Sequence, residues 1–202
     1  QLRGLLVNLA GTLGEDSEVI TRCNDLWAAS RTEHVDPELM TAVIEGICAH
    51  GNKSVFEEVQ GRYESAATPQ DAIRYLYALG MFPDRAIAQR AADFAFSEQV
   101  RAQDAPYFLR ILLENRHVGA IGWEAISKNW DKANERFPIN SIIRMVNGIR
   151  MLLEPELVAQ TQAFFAEHEI PQAGLMLPQT LEIQRVNAAL RERTRANLFS
   201  AR

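Results

Sequence analysis

Helix-start signals recur at a nearly constant interval along the first two-thirds of the sequence. Helical patterns begin near residues 2, 36, 68 and 104, and a spacing of about 34 residues is typical of helical-hairpin repeats. Asp36-Pro37 combines a capping carboxylate with a proline at the first helical position, and Thr68 and Asp71 are close to a capping box. Alternating runs of β-branched residues, which indicate strands, are absent from the sequence. The sequence therefore predicts an all-α fold, a curved superhelix of antiparallel helical hairpins of the HEAT/armadillo-like α-solenoid type.

The stretch from Gln103 to Asp131 predicts a helical hairpin whose first helix is buried by neighbouring helices on more than one side. Asp104 is a candidate N-cap for its first helix, and Pro106 falls in the first turn, where a missing N–H costs nothing. That helix is apolar almost all round, at Tyr107, Phe108, Leu109, Ile111, Leu112 and Leu113. The second helix is amphipathic, with apolar residues at Trp123, Ile126, Trp130, Ala133 and Phe137. Such a pair is expected in a stacked array, so Trp123 and Trp130 are predicted to be buried against the preceding helix.

Beyond Pro138 the helical pattern is less regular. We predict helices over Ile139 to Leu153, over Pro155 to about His168 and over about 179–198, with a loop over 170–178. The predicted packing face of the final helix is apolar: Leu181, Val186, Ala189 and Leu190. Residues 1–202 are interpreted as a single α-superhelical domain. Its first helix opens with Leu2, Leu5 and Leu6 and has no polar capping helix before it, which favours an excised piece of a longer solenoid.

Composition and charge argue against several classes of function. A net charge of −5 lacks the basic excess of nucleic-acid-binding proteins, so no nucleic-acid partner is expected. The arginines of the final helix are interleaved with Glu182 and Glu192, a mixture typical of a solvated face. The longest apolar runs are too short to span a bilayer, so no membrane insertion by this segment is expected. Cys23 and Cys48 are expected to be buried free thiols.

The sequence carries no recognisable catalytic or metal-binding motif. Its four histidines are His34, His50, His117 and His168. None has a second histidine four residues away, the spacing that places two zinc ligands on one helix face. His168-Glu169 resembles the start of that motif, but Gln172 stands where the second ligand is needed. We therefore predict no catalytic residue, no metal site and no cofactor in this segment.

Residues in a fixed order carry a resemblance to a known family. They are Gln103-Asp104, Asn115, Trp123 and Asn129-Trp130-Asp131, flanked by Gly51-Asn52, Ala78-Leu79-Gly80 and Phe164-Phe165. In this order they resemble the C-terminal helical domain of zinc-dependent aminopeptidases of the aminopeptidase N type, which include the endoplasmic reticulum aminopeptidases. The resemblance runs from about Leu2 to the final helix. It implies that the chain is the C-terminal segment of a larger peptidase whose catalytic domain binds zinc. It also implies two partners, namely that catalytic domain and peptide substrates.

Polar side chains on mostly apolar helices are the candidate site. Asn140, Arg144, Asn147 and Met151 recur at helical spacing and share one stripe, and Tyr107, Arg110 and Glu114 form a second. In the family the C-terminal superhelix curves over the catalytic domain, so both stripes are candidate walls of the peptide chamber. The candidate substrate-binding residues are Tyr107, Arg110, Asn140, Arg144 and Asn147. Two structural alternatives stay open. Arg144 could be hydrogen-bonded or salt-bridged at a seam between two packed helices, and Arg110 could form an ion pair with Glu114, four residues later.

Two functions of different classes follow from these observations. The first is a noncatalytic C-terminal domain of a zinc metallo-aminopeptidase that encloses the active-site chamber and restricts peptide access. The alternative is a stand-alone helical-repeat scaffold for protein–protein interaction, which would need polar capping helices at both ends. The apolar opening of the first helix favours the aminopeptidase domain. A His-Glu-x-x-His helix upstream in the parent polypeptide would decide between them.

Overall fold

Helices make up the regular secondary structure of this protein. The computed structural model describes the backbone of residues 2–200 and the side chains of residues 2–197, and this part contains no strand. Its α-helices are α1 (Leu2–Thr12), α2 (Ser17–Ala29), α3 (Pro37–Ala49), α4 (Lys53–Glu64), α5 (Pro69–Ala78), α6 (Arg85–Ala95), α7 (Ala105–Glu114), α8 (Gly119–Lys128), α9 (Trp130–Arg136), α10 (Ile139–Val146), α11 (Pro155–Glu167) and α12 (Met176–Ser200). Two 3-10 helices lie at Asn147–Met151 and Pro171–Ala173. The all-α prediction is confirmed.

The early helices begin where the capping residues predict. Asp36 accepts hydrogen bonds from the backbone N–H groups of Glu38 at 2.8 Å and Leu39 at 3.4 Å, which satisfies two donors at the start of α3. The Thr68 hydroxyl accepts a bond from the N–H of Asp71 at 3.1 Å at the start of α5. These bonds are local along the chain, and for that reason the sequence alone predicts them.

The central hairpin differs from the prediction in two details. Asp104 does not cap α7, because its carboxylate is bound instead by Arg101 Nε at 2.6 Å. The predicted second helix is interrupted at Asn129, where the backbone takes φ −110° and ψ 27°, so that α8 and α9 are separate helices. The Asn129 side-chain amide donates to the Ala125 carbonyl oxygen at 2.9 Å and competes with the continuing helix.

The chain divides into two compact units, residues 1–87 and residues 88–202. In the first unit α1 and α2 both pack on α3, and α4 packs on α5. The central helix α3 is the most apolar element here, with eight buried residues: Leu39, Met40, Ala42, Val43, Ile44, Gly46, Ile47 and Cys48. Neighbouring helices therefore pack in pairs, as the solenoid prediction requires. The curvature of a superhelix and the single domain over residues 1–202 stay predictions.

In the second unit α7 is the central helix. It packs against α8, α10 and the first 3-10 helix, and its residues Phe108, Leu109, Leu112 and Leu113 are buried. The burial of the two tryptophans is confirmed, since Trp123 is 4% exposed and Trp130 is 6% exposed, and their contact with the preceding helix stays a prediction. Their ring partners are Phe164 and Phe165 of α11, with ring centroids 5.2–5.9 Å apart.

The prediction of a single helix from Ile139 to Leu153 is wrong. α10 ends at Val146 and continues as the 3-10 helix Asn147–Met151. Gly148 lies against α7 at this point, so closely that an added Cβ would be 2.9 Å from the Cβ of Leu113. Glycine has a low helix propensity, which disfavours continuation of the α-helix. Because it lacks a side chain, it also allows the close approach to α7.

The predicted packing face of α12 is also wrong. Val186, Ala189 and Leu190 are exposed, and Leu181 is half-buried. Among the side chains of α12 that the structure describes, the buried ones are Thr180 and Gln184, which are 1% and 0% exposed. α12 packs on the 3-10 helix Asn147–Met151 and on α11 through hydrogen bonds from polar side chains. The polar face of α12 is buried because the 3-10 helix Asn147–Met151 ends here, which leaves the backbone carbonyl groups of Arg150 and Leu152 without partners in the helix.

Two amides of α12 supply those donors. Gln184 Nε2 donates to the Leu152 carbonyl oxygen at 3.0 Å, and Asn187 Nδ2 donates to that of Arg150 at 3.2 Å. The other end of the Gln184 amide accepts a bond from the Thr161 hydroxyl at 2.8 Å. Polar groups thus hold the last helix in place, and its Ile183, Val186 and Leu190 side chains are exposed.

Candidate functional site

α10 presents two of the candidate residues to solvent. Its packing face buries Ser141, Ile142, Ile143, Met145 and Val146. Arg144 and Asn140 lie opposite and are exposed, and neither makes a hydrogen bond or an ion pair with the described part of the chain. The seam alternative for Arg144 therefore does not apply within these residues, and its guanidinium is available to an outside group.

The other half of the predicted stripe faces a different neighbour. Asn147 is half-buried, and its side-chain amide donates to the Thr180 hydroxyl of α12 at 3.2 Å. Met151 is 46% exposed and lines an open groove of about 390 Å³ together with Leu153 and Leu190. The stripe separates in this way because the α-helix ends at Val146, so only Asn140 and Arg144 remain as candidate ligand-facing residues of it.

Arg110 and Glu114 form the predicted pair on α7. Arg110 Nε donates to Glu114 Oε1 at 3.0 Å, and the same oxygen accepts a bond from Arg150 at 3.4 Å. Each of the three side chains is about a third exposed. Tyr107, one turn earlier on α7, is half-buried. Two arginines share one carboxylate here, so the cluster keeps a net positive charge that suits an anionic group.

Arg150 is the residue that the sequence reasoning missed. It lies 36 residues after Glu114, and no local spacing relates the two. A possible signal was the charge itself, since Arg150 lies in a run that is otherwise mostly apolar. Its side chain reaches Glu114 because the 3-10 helix Asn147–Met151 packs on α7.

Two of the four histidines contact backbone carbonyl groups. His50 Nε2 lies 2.7 Å from the Gly11 carbonyl oxygen, and His168 Nδ1 lies 2.8 Å from that of Phe164. The His168 ring also stacks on Phe164 with centroids 3.9 Å apart. Within the described residues, no group of three or more histidine, cysteine, aspartate or glutamate side chains could hold a metal ion.

Buried polar groups give no sign of a preformed ligand pocket. Every buried side-chain nitrogen and oxygen in the described residues has a hydrogen-bond partner. Cys23 and Cys48 are both buried and free, and burial raises the pKa of each thiol, which lowers its reactivity at neutral pH. None of the described helices combines the length and the apolar character that crossing a membrane requires.

Comparison with known proteins relates almost the whole chain to one family. The family model of the ERAP1-like C-terminal domain matches residues 1–186. Aminopeptidase M1-A of Oryza sativa subsp. japonica is 26% identical over 206 residues, which cover 96% of this chain and 23% of that protein. Aminopeptidase M1 of Arabidopsis thaliana is 26% identical over 198 residues, covering 93% of this chain and 22% of the relative.

A mammalian relative matches over a shorter stretch. Glutamyl aminopeptidase of Rattus norvegicus is 28% identical over 134 residues, which cover 64% of this chain and 14% of that protein. The chain thus spans less than a quarter of the length of each of these three relatives.

Proposed function

Because this chain belongs to the family of ERAP1-like C-terminal domains, we propose that it is the noncatalytic C-terminal domain of a zinc metallo-aminopeptidase. The aminopeptidases that match it nearly end to end support the assignment. The zinc ion and the catalytic residues would lie in the catalytic domain of the same parent polypeptide. This segment would contribute binding surface to the enzyme.

The proposed role is to enclose the active-site chamber and to restrict which peptides reach it. The observation that carries this role is Arg144, an exposed cation with no partner among the described residues, on a helix whose neighbouring side chains are buried. A guanidinium presents planar donors that suit a peptide carboxylate or an acidic side chain. Asn140, one turn earlier, adds an amide that can bind a peptide backbone.

The cluster of Arg110, Glu114 and Arg150 supports the same role. Its two arginines share one carboxylate and are about a third exposed, so part of their hydrogen-bonding capacity stays open. Tyr107 on the same helix offers a phenolic hydroxyl beside an aromatic ring. These groups would contact only peptides long enough to extend from the catalytic domain to this domain.

Arg144→Ala in the parent enzyme tests the proposal. For peptides of several residues we expect kcat/KM to fall about tenfold, a loss of about 1.4 kcal/mol of transition-state binding. A small aminoacyl chromogenic substrate should be hydrolysed at nearly the normal rate, because it would not reach Arg144. Arg193→Ala is the matched control, since Arg193 is also exposed and makes no described bond.

An equal loss of kcat/KM on long and short substrates, accompanied by a lower Tm, would show that Arg144 has a structural role only. The scaffold alternative is tested separately by measuring zinc and aminopeptidase activity in the parent polypeptide. A parent without zinc and without activity would support the scaffold and contradict the aminopeptidase assignment.

A further inference from the structure

An apolar groove lies between α12 and the chain that follows α10. Its lining combines Met151 and Leu153 with Leu190 of α12, and we call it the Leu190 groove. It measures about 390 Å³, a volume within the range of small-molecule sites. Met151 and Leu190 are 46% and 53% exposed, so the groove is open to solvent in the described structure. Large apolar side chains that share one exposed concave surface usually mark a binding site.

Two polar side chains of the Leu190 groove already have partners in this chain. Arg191 Nη1 lies 2.6 Å from Glu154 Oε1, and the Asn187 amide nitrogen donates to the Arg150 carbonyl oxygen at 3.2 Å. The lining therefore has little spare hydrogen-bonding capacity for the N–H and C=O groups of a peptide. Those groups need partners when they are removed from water. The groove is better suited to a ligand whose buried part is a hydrocarbon.

Arg195 is the cation of this groove that remains available. Its side chain is 57% exposed, and its Nη1 lies 3.8 Å from Glu192 Oε1, which is beyond hydrogen-bond distance. No other acceptor of the described residues binds it, and Glu192 is not part of the groove lining. Thr194, also in the lining, offers a hydroxyl donor. One guanidinium beside an apolar surface complements an amphiphile with one carboxylate, which it can bind through two parallel hydrogen bonds.

The size of the Leu190 groove favours a small ligand over a docked helix. One turn of an α-helix is about 5.4 Å long and about 10 Å across with its side chains, so a single turn of roughly 400 Å³ would fill the groove. A straight hydrocarbon chain is much narrower. It can lie along the aliphatic side chains and still leave its charged end at the rim.

We infer that the Leu190 groove binds a free amphiphilic monocarboxylate of the fatty-acid type. The hydrocarbon chain packs on Met151, Leu153 and Leu190, and the carboxylate accepts hydrogen bonds from Arg195. None of these four residues belongs to the surface proposed to bind peptides. The inference therefore goes beyond the proposed function and does not depend on it.

Equilibrium dialysis of the full parent polypeptide with radiolabelled octanoate tests the inference. We expect saturable binding of one equivalent near neutral pH, with a Kd of about 1 mM, because an open groove buries only part of the chain. Octylammonium has the same hydrocarbon chain and the opposite charge. It should displace octanoate only at about tenfold higher concentration, because Arg195 repels it. The absence of saturable octanoate binding, or equal affinity for the two ligands, would overturn the inference.

Variants on α12 locate the bound ligand. Arg195→Gln should raise the Kd of octanoate about fivefold without weakening octylammonium, because it removes the charge and keeps most of the side chain. Leu190→Ser should raise the Kd of octanoate about threefold or more. The matched controls Arg193→Gln and Ile183→Ser are exposed on the same helix but outside the groove lining, and they should leave this Kd unchanged. Normal octanoate binding in both groove variants would place the ligand elsewhere and contradict the assignment.

A peptide terminus is the competing occupant of the groove. The dipeptide acetyl-Ala-Leu has an apolar side chain and a terminal carboxylate, and its acetyl group protects it from an aminopeptidase. We expect it to displace octanoate more weakly than unlabelled octanoate does, because its peptide groups would lose their hydrogen bonds to water. Stronger displacement by this dipeptide, together with none by its C-terminal amide, would assign the groove to peptide carboxyl ends and overturn the inference.

Discussion

α1 and α12 both carry exposed aliphatic side chains, but different contacts hold the two helices in place. The inner face of α1 makes a close backbone contact with α3 at Gly4, and its Asn8 side chain donates to Glu45, a half-buried carboxylate of α3. On α12 the inner face is a row of uncharged side chains, Thr180, Gln184 and Asn187, with four hydrogen bonds.

The comparison shows that the positions of aliphatic residues alone do not identify the inward face of a helix. α12 was expected to bury Val186 and Leu190, and these are 50% and 53% exposed. Its polar face turns inward because the carbonyl groups of Arg150 and Leu152 need donors there. At the contact of α1 with α3 the close approach is made by Gly4, which has no side chain.

The largest expected effect concerns the apolar layer beneath α12. Trp123→Ala should lower the free energy of unfolding by about 3–5 kcal/mol, because the buried indole packs against Phe164 and Phe165 of α11, on which α12 lies. Urea denaturation followed by circular dichroism measures this loss. A loss under about 1 kcal/mol would contradict the described burial of Trp123.

The next effect tests whether polar groups hold α12. Gln184→Leu should cost about 2–3 kcal/mol, because it leaves the buried Leu152 carbonyl oxygen without this donor. The control Val186→Ser, on the outer face of the same helix, should change stability by less than about 0.5 kcal/mol. If the control proved to be the more damaging change, the orientation of α12 would be wrong.

A pair of glycine variants probes the corresponding contact of α1. Gly4→Ala should destabilise the chain by about 1–2 kcal/mol, because its Cβ would be too close to the backbone of α3, even though alanine favours helix. Gly61→Ala in α4 should stabilise by about 0.5–1 kcal/mol, since nothing lies near its added Cβ. Stabilisation by both variants would mean that α1 is not held closely on α3.

The smallest expected effect is a pH dependence of stability at the contact between α1 and α3, where Asn8 of α1 binds Glu45 of α3. Glu45 has a raised pKa in the folded chain, so the folded state binds a proton more tightly than the unfolded state. Stability therefore falls as the pH rises from the ordinary glutamate pKa, about 4.3, through the raised value. In the isolated chain, Glu45→Gln should remove this fall, so the variant should be more stable than the original chain at pH 7.

The pH effect has two internal controls. Near pH 4 the Glu45→Gln variant and the original chain should unfold at the same urea concentration. Glu182→Gln on α12 should not increase stability at pH 7, because Arg185 lowers the pKa of Glu182. An increase for both variants would assign the effect to net charge and not to the burial of Glu45.

Much of the fold could be predicted from local sequence. Asp36 and Thr68 mark helix starts because their side chains bind N–H groups two or three residues on. α7 is central because it is apolar on nearly all sides, and the Arg110–Glu114 pair follows from a four-residue spacing. Family membership was predictable from residues spread along the chain in a fixed order.

The candidate site was predicted only in part. Arg144 and Asn140 share an exposed face, as their spacing indicates, but Asn147 turns to Thr180. That outcome depends on the end of α10 at Val146, where Gly148 packs on α7. No pattern within α10 contains this information, because the contact joins residues that are far apart in sequence.

The sequence by itself determined which segments are helical, where most of them begin and which family the chain belongs to, because caps, prolines and helical periodicity act over a few residues. Only the tertiary structure decided which face of α12 is buried, where α10 ends and that Arg150 joins Glu114. These outcomes depend on backbone groups and side chains brought together from distant positions. The free energy of satisfying a buried carbonyl there outweighs the tendency of an aliphatic face to turn inward.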